Sequence, residues 1–316
     1  MKINQKELKR QNTILLKQNK ELVKREKFLE EIKVDSIESM ERFTIKTNPG
    51  LKEEVIPITL LSDGHFEERV EKTVVSGLNE YNLEIAAKRT ELYFKRLLYM
   101  INQHRKAGYE MNTMIVALLG DFISGYIHQE LEQTYYLSPV AATMFAQDLL
   151  IRGLKTLSED TEMTKIIIPC LTGNHGRTTK KIQFTNGYLN SYEFLMYSNI
   201  KKILEPYTNL EFQIAQGDFL YLDLFGYLNL FSHGHQFRYQ GGIGGIEVPL
   251  KKYILRENSI ASANPLFNDR GIDMVWMGNW HQYVCLGKAR VNGSVIGYNS
   301  FARFNGFNPE EPRMQF

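Results

Sequence analysis

Five short apolar runs, each ending in a glycine-containing loop that carries Asp, Asn or His, constrain the fold of this chain more than any other feature. The runs are 55–62 (VIPITLLS), 113–119 (TMIVALL), 165–171 (KIIIPCL), 226–231 (GYLNLF) and 273–277 (DMVWM). Their length and β-branched content predict strands. Helical stretches separate the early ones. Residues 84–107 place Leu92, Leu97, Leu98 and Ile101 at helical spacings and stop at Gly108. Ser138-Pro139 reads as a cap followed by a first-turn proline, opening a helix to about Ser158. A further helix is expected over roughly 190–205. The alternation implies an α/β fold with a largely parallel central sheet and helices outside.

In such sheets ligands and reactive groups gather beyond the carboxyl ends of the strands, so the loop after each run carries the chemical information. Successive runs lead into Ser62-Asp63-Gly64-His65, Gly120-Asp121, Gly173-Asn174-His175-Gly176-Arg177, His233-Gly234-His235 and Gly278-Asn279-Trp280-His281. Taken singly, each has an ordinary structural meaning. Asp-Gly-His makes turns, Asn-His caps helices, and a histidine beside Trp276 and Trp280 packs well in a core. Taken together they place five of the seven histidines at strand ends, next to glycines that let a short side chain turn back into one pocket. Carboxylate, imidazole and amide oxygen without thiolate suit hard or borderline ions such as Mn2+, Zn2+, Fe2+ or Mg2+.

The series Asp63-x-His65, Gly120-Asp121, Gly173-Asn174-His175, His233 and Gly278-x-x-His281 resembles the calcineurin-like metallophosphoesterases over nearly all of residues 55–300. The stretches GLNEYNLEIAAKR and GDFISGYIHQEL also resemble bacteriophage-encoded members, and the SbcD-like nucleases are a more distant likeness. The resemblance implies a sandwich of two β-sheets flanked by helices, with two divalent metal ions at the sheet edge. Manganese is favoured, and zinc, iron, magnesium or nickel are alternatives. It further implies that Asp63, His65, Asp121 and His281 hold one ion. Asp121 is then shared with a second ion, which adds Asn174 and His233, and a hydroxide bridges the pair. His175 takes the role of contacting the phosphate and protonating the leaving oxygen. The departure is at Asn279, where the family has histidine; an amide oxygen is a weaker ligand toward transition metals. His235 is either a replacement ligand or a group facing the substrate. Arg177 either braces a phosphate through its planar fork or forms a surface ion pair.

Residues 1–45 form a different region, a charged amphipathic helix, with 46–54 (ending KTNPGLKEE) as linker and 55–316 as the catalytic domain. Leu8, Leu15, Leu22 and Leu29 recur every seven residues, but Gln5, Asn12, Asn19 and Glu26 occupy the paired positions. Two readings stand: a coiled coil forming a homodimer or recruiting a protein partner, and a single helix lying on its own domain. Residues 1–50 carry 12 Lys/Arg against 8 Asp/Glu, whereas the whole chain has a net charge of only +2. Bulk charge alone is therefore not expected to hold nucleic acid. Two cysteines exclude a disulfide framework or Cys-based zinc site. No apolar run is long enough for a membrane span, and the N-terminus lacks the apolar core of a signal peptide. A soluble cytoplasmic protein is expected, in the host bacterial cytoplasm if phage-encoded.

GDFISG lacks the arginine that the resemblance leads one to expect in the protein Ser/Thr phosphatase branch. The expected activity is a phosphodiesterase acting on DNA, RNA or nucleotides, a nuclease in the first two cases. The alternatives are a small-molecule phosphomonoesterase and a catalytically weakened binding module recruited through the N-terminal helix. His104 is expected to cap a helix or face solvent, His128 to face solvent, Cys170 to sit in the core, and RYQGGIGG (238–245) to form a rim loop.

Overall fold

The computed structural model describes residues 5–31, 54–127, 132–236, 245–267 and 270–316. Met1–Leu51 and Lys52–Phe316 are separate compact units. In the first, α1 (Gln5–Glu31) is a 27-residue helix on which Ile14, Leu15, Leu16, Leu22 and Val23 are all exposed. The expected continuation to residue 45 and nearly all of the expected linker lie outside the described residues, as do His128 and residues 238–244.

The second unit contains two sheets. The first has the order β1 (Ile58–Leu61), β2 (Thr113–Leu118), β3 (Lys165–Cys170), β4 (Leu210–Ile214), all parallel. Parallel neighbours need crossovers. These are α2 (Leu83–Lys106), α3 (Pro139–Asp160) and α4 (Tyr192–Ile203). Asn82 caps α2 through the Ile85 N–H at 2.9 Å, and Gly108, at φ +100°, comes just after its end. Ser138 caps α3 ahead of its first-turn proline. Within α3, Gly153 lets Phe94 of α2 come so close that an added Cβ would stand 2.0 Å from a ring carbon.

The second sheet is mixed, which corrects the expectation of one largely parallel sheet and matches the two-sheet sandwich that the family resemblance implied. Its order is β5 (Phe219–Leu224), β6 (Tyr227–Ser232), β7 (Met274–Met277), β9 (Ala289–Val291), β8 (Val284–Leu286). β5 and β6 form an antiparallel hairpin, β7 joins β6 in parallel after α5 (Glu247–Ser262), and β8 runs antiparallel to β9.

Side-chain alternation divides the core into three layers. Met114, Val116 and Leu118 of β2 and Ile166, Ile168 and Cys170 of β3 pack toward α2, α3 and α4. The alternate residues Ile115, Ala117 and Ile167 meet Leu222 and Phe231 of the second sheet. Trp276 belongs to this inter-sheet layer, its ring stacked on Phe231 at 6.2 Å and its indole N–H donated to Asn229 Oδ1 at 2.9 Å. Leu228, Leu230, Val275 and Met277 form the third layer with Leu250 and Tyr253 of α5. The central strands β2, β3 and β6 are thus buried on both faces, and polar side chains concentrate at the strand ends.

Candidate metal centre

Each of these loops begins where a strand stops, and in three of them a non-glycine backbone turns left-handed there. Asp63, His65, Asp121, Asn279 and His281 have φ between +44° and +67°; they are five of the eight non-glycine residues with positive φ among those described. That region is sterically costly for side chains and concentrates at functional sites. The glycines between them permit close approach. A Cβ on Gly120 would stand 2.2 Å from the Gly173 nitrogen, and one on Gly173 2.0 Å from Asp121 Oδ1.

Two triads result, Asp63–His65–His281 with His281 half-buried and Asp63–Asp121–His233 fully buried, whose donor atoms lie within 4.8 Å of one another in each triad. The residue common to both is Asp63. It accepts from the Ser62 hydroxyl and, through both oxygens, from the Asn279 N–H at 3.1 Å. His281 Nε2 stands 3.4 Å from Asp63 Oδ1 and 3.1 Å from His65 Nε2. Asp121 Oδ2 lies 2.9 Å from His233 Nε2, and its Oδ1 accepts from the His175 N–H at 2.8 Å. Asn174 Oδ1 is 3.2 Å from His233 Nε2. The structure therefore gathers Asp63, His65, Asp121, Asn174, His175, His233, Asn279 and His281. These are hard and borderline donors whose nitrogen and oxygen atoms converge, so the residues fit divalent metal ions.

Groups behind this face fix which atoms point into it. His233 Nδ1 donates to the Leu119 carbonyl at 2.5 Å, leaving Nε2 for the cluster. His65 Nδ1 lies 2.8 Å from Ser124 Oγ, and that hydroxyl donates to Glu68 Oε1 at 2.6 Å. Such outer contacts orient ligating imidazoles. Glu193, fully buried, accepts the Phe122 and Gly173 N–H groups at 2.7 Å each. It thereby ties the Asp121 loop to the Asn174 loop. Glu67 does the same for Ser124 and Gly125. None of Glu67, Glu68, Ser124 or Glu193 stands out in the sequence. The acidic pair comes directly after the Asp63–His65 motif, but burial, which gives it meaning, is not visible there.

The electrostatics are set by burial and crowding. Burial pulls His233 down, but the Asp121 charge and hydrogen bond overcome it and raise the pKa to about 10. Burial would raise Asp121, yet the surrounding His233 and His175 hold it well below the carboxylate range. His65 is driven well down by burial and by the neighbouring His175 and His281. Burial and the Asp121 charge push Glu193 up to about 8 despite its amide donors.

His175 sits edge-on to His65 at 4.8 Å, with Nδ1 3.2 Å from the Ser124 carbonyl. Arg177 turns its guanidinium to backbone, donating to the carbonyls of Asn174 and of Thr179 (3.1 Å), so it braces the Asn174 loop. His235 is 5.6 Å from His233 between ring centroids, and its buried Nδ1 has no hydrogen-bond partner among the described residues. His104 bonds the Met100 carbonyl within its own helix, and Cys170 is buried in β3.

No protein-family model matches the chain, and no curated protein matches it either. Among solved structures, a novel archaeal phosphodiesterase aligns at 15% identity, covering 76% of this chain and 86% of that one, with a TM-score of 0.32. A protein of unknown function from Aquifex aeolicus aligns at 14% identity over 80% of this chain and 93% of that one, at 0.31. The phosphopantetheinyl hydrolase of Mycobacterium tuberculosis aligns at 11% identity over 83% and 95%, at 0.29. At overlaps this loose, the chemistry rests on the chain's own residues.

Proposed function

We propose that the chain is a divalent-metal-dependent phosphoesterase that hydrolyses phosphodiester bonds of nucleic acid or nucleotides. The observation that carries this reading is the pair of Asp/His triads, which bring Asp63, His65, Asp121, His233 and His281 together at the carboxyl ends of strands from both sheets. Asp63, His65, Asp121 and His281 would hold one ion; Asp121, Asn174, His233 and Asn279 would hold the other, with Mn2+ favoured. When bound, the ions supply Lewis acidity to the phosphoryl group and to the attacking water. His175 supports proton delivery: a carbonyl only accepts, so Nδ1 bears a hydrogen toward Ser124, and Nε2 is the atom that exchanges a proton with the leaving oxygen. Arg177 holds Asn174 in place through its carbonyl. The Lys/Arg excess of residues 1–50 supplies phosphate contacts that a near-neutral catalytic unit lacks. Asn279 favours a second reading, a weakened enzyme retained as a binding module.

Hydrolysis of bis(4-nitrophenyl) phosphate in Mn2+ tests the proposal. Asp121→Asn keeps the side-chain volume and removes the charge, so it should lower turnover by about 100-fold or more while circular dichroism stays native. Undiminished hydrolysis by this variant sinks the metal reading; an inactive parent chain that still binds Mn2+ favours the binding module.

A further inference from the structure

A cleft of about 240 Å³ opens over the Asp/His face, with His65, Asp121 and Asn174 in its lining, and its remaining walls are of two kinds. His175, Asn279 and His281 contribute polar groups, whereas Trp280, Phe301 and Phe307 contribute aromatic rings. A phosphate alone requires only the first kind. The rings are held in place: Phe301 meets Phe307 edge to face at 6.1 Å and 86°, and the Trp280 indole N–H donates to the Gly234 carbonyl at 3.3 Å. Phe301 nevertheless keeps 40% of its surface exposed.

The helix bearing Phe301, α6 (Ser300–Phe304), is also tied to the polar face. Asn299 caps it through the Ala302 N–H at 2.9 Å and donates its own amide to Glu68 Oε2 at 3.2 Å. The other Glu68 oxygen accepts from Ser124, which contacts His65. One chain of hydrogen bonds therefore sets the aromatic wall in register with an imidazole of the cluster. Glu68 and Asn299 line the same cleft, so its interior is not uniformly apolar. An acyl chain would leave those polar groups against hydrocarbon. A nucleobase has a flat apolar face and a polar edge, and matches both.

We infer that this cleft binds the nucleobase of a nucleotide whose phosphate lies on the Asp/His face, with Phe301 as the principal stacking ring and Phe307 and Trp280 completing the wall. The inference rests on the phosphoesterase reading for the placement of the phosphate and names the class of substrate. Stacking of a base on an aromatic side chain is a recognised, sequence-tolerant source of affinity.

Calorimetry in Mn2+ with adenosine 5′-monophosphate and with methyl phosphate separates the two parts, because both probes carry the same phosphate and only one carries a base. The nucleotide should bind about tenfold tighter or more, equivalent to about 1.4 kcal/mol. Phe301→Ala and Phe307→Ala should each shrink that gap severalfold, and Phe301→Tyr, which keeps a ring, should preserve it. Equal binding of the two probes, absence of nucleotide binding, or a gap unchanged in well-folded Phe301→Ala overturns the inference. A ring-dependent gap in a protein that does not hydrolyse bis(4-nitrophenyl) phosphate supports the base site and strikes only the activity.

Discussion

Asn279 occupies the position where the resemblance calls for histidine, and its backbone N–H already serves Asp63 at 3.1 Å. An amide at this position should leave one ion tightly held and the other easily lost. Asn279→His is expected to tighten the weaker ion by about 10–100-fold in a Mn2+ titration, the range that changes around metal shells produce. No change would point to His235, whose buried Nδ1 lacks a partner among the described residues, as the group that already fills the position. Glu193 gives a residue-scale pH effect. Its pKa is about 8 in the folded chain against 4.5 otherwise, so between those values the folded state holds a proton that the unfolded state has released. The contribution is fully present below about 4.5 and is lost as pH rises through about 8, at up to about 1.4 kcal/mol per unit. In chelator, stability of the parent chain should fall over that window, and Glu193→Gln should flatten the fall even though it is less stable at low pH. Parallel curves for the two proteins would show that this carboxyl does not titrate there.

At the scale of elements, legibility followed burial. β1, β2, β3 and β6 are buried on both faces, β7 on one with the other half-buried, and all five read as apolar runs; each is expected from the sequence within a few residues of its place. β4 (LEFQI) and β5 (FLYLDL) are edge strands with polar residues facing outward, so neither stands out as a run. β8 and β9 have three residues each, too few for any periodicity to register. α5 buries Leu250, Tyr253, Glu257 and Ala261 at helical spacing, but Pro249 and the surrounding charges mask it. The site divides in the same way. Its candidate ligands sit beside glycines at strand ends, where sequence alone marks them. Glu68, Glu193 and Asn299 are ordinary polar residues until the fold buries them. On α1, Leu15 and Leu22 of the heptad series are exposed. If they form a seam between copies, removing residues 1–45 should convert a dimer to a monomer in sedimentation without altering hydrolysis of bis(4-nitrophenyl) phosphate. A full-length monomer at tens of micromolar would instead leave the helix as a single amphipathic arm.

For the unit Lys52–Phe316 as a whole, the Asp/His cluster lies where two sheets end. Asp63, His65, Asp121 and Asn174 come after strands of the parallel sheet, and His233, Asn279 and His281 after strands of the mixed one. Ions bound there would join the sheets at one edge of a sandwich otherwise held by the apolar layer around Ile115, Ile167 and Phe231. Mn2+ at 100 times its dissociation constant should stabilise the fold by about 2.7 kcal/mol, a rise in melting temperature of roughly 5–10 °C, reversed by chelator. A melting curve indifferent to both additions would mean that these residues do not bind metal in the folded chain.

The placement of Asp63 has a consequence for the order in which the molecule can be finished. Its neighbour Ser62 takes a hydrogen bond from Asn292 at 2.9 Å, Asn292 in turn accepts from the Gln315 N–H at 2.8 Å, and the Gln315 carbonyl receives Leu60 N–H and the Thr59 hydroxyl on the outer edge of β1. β1 is thus secured by a residue more than 250 positions later. Asp63 and His65 are held in part by nearby chain, their N–H groups donating to the Gly120 and Asp121 carbonyls, but the Asn292 that anchors Ser62 lies 230 positions further on. Contacts of such long range are slow to form. The geometry around Asp63 is therefore expected to be completed late in folding, once the segment around Gln315 has docked on β1.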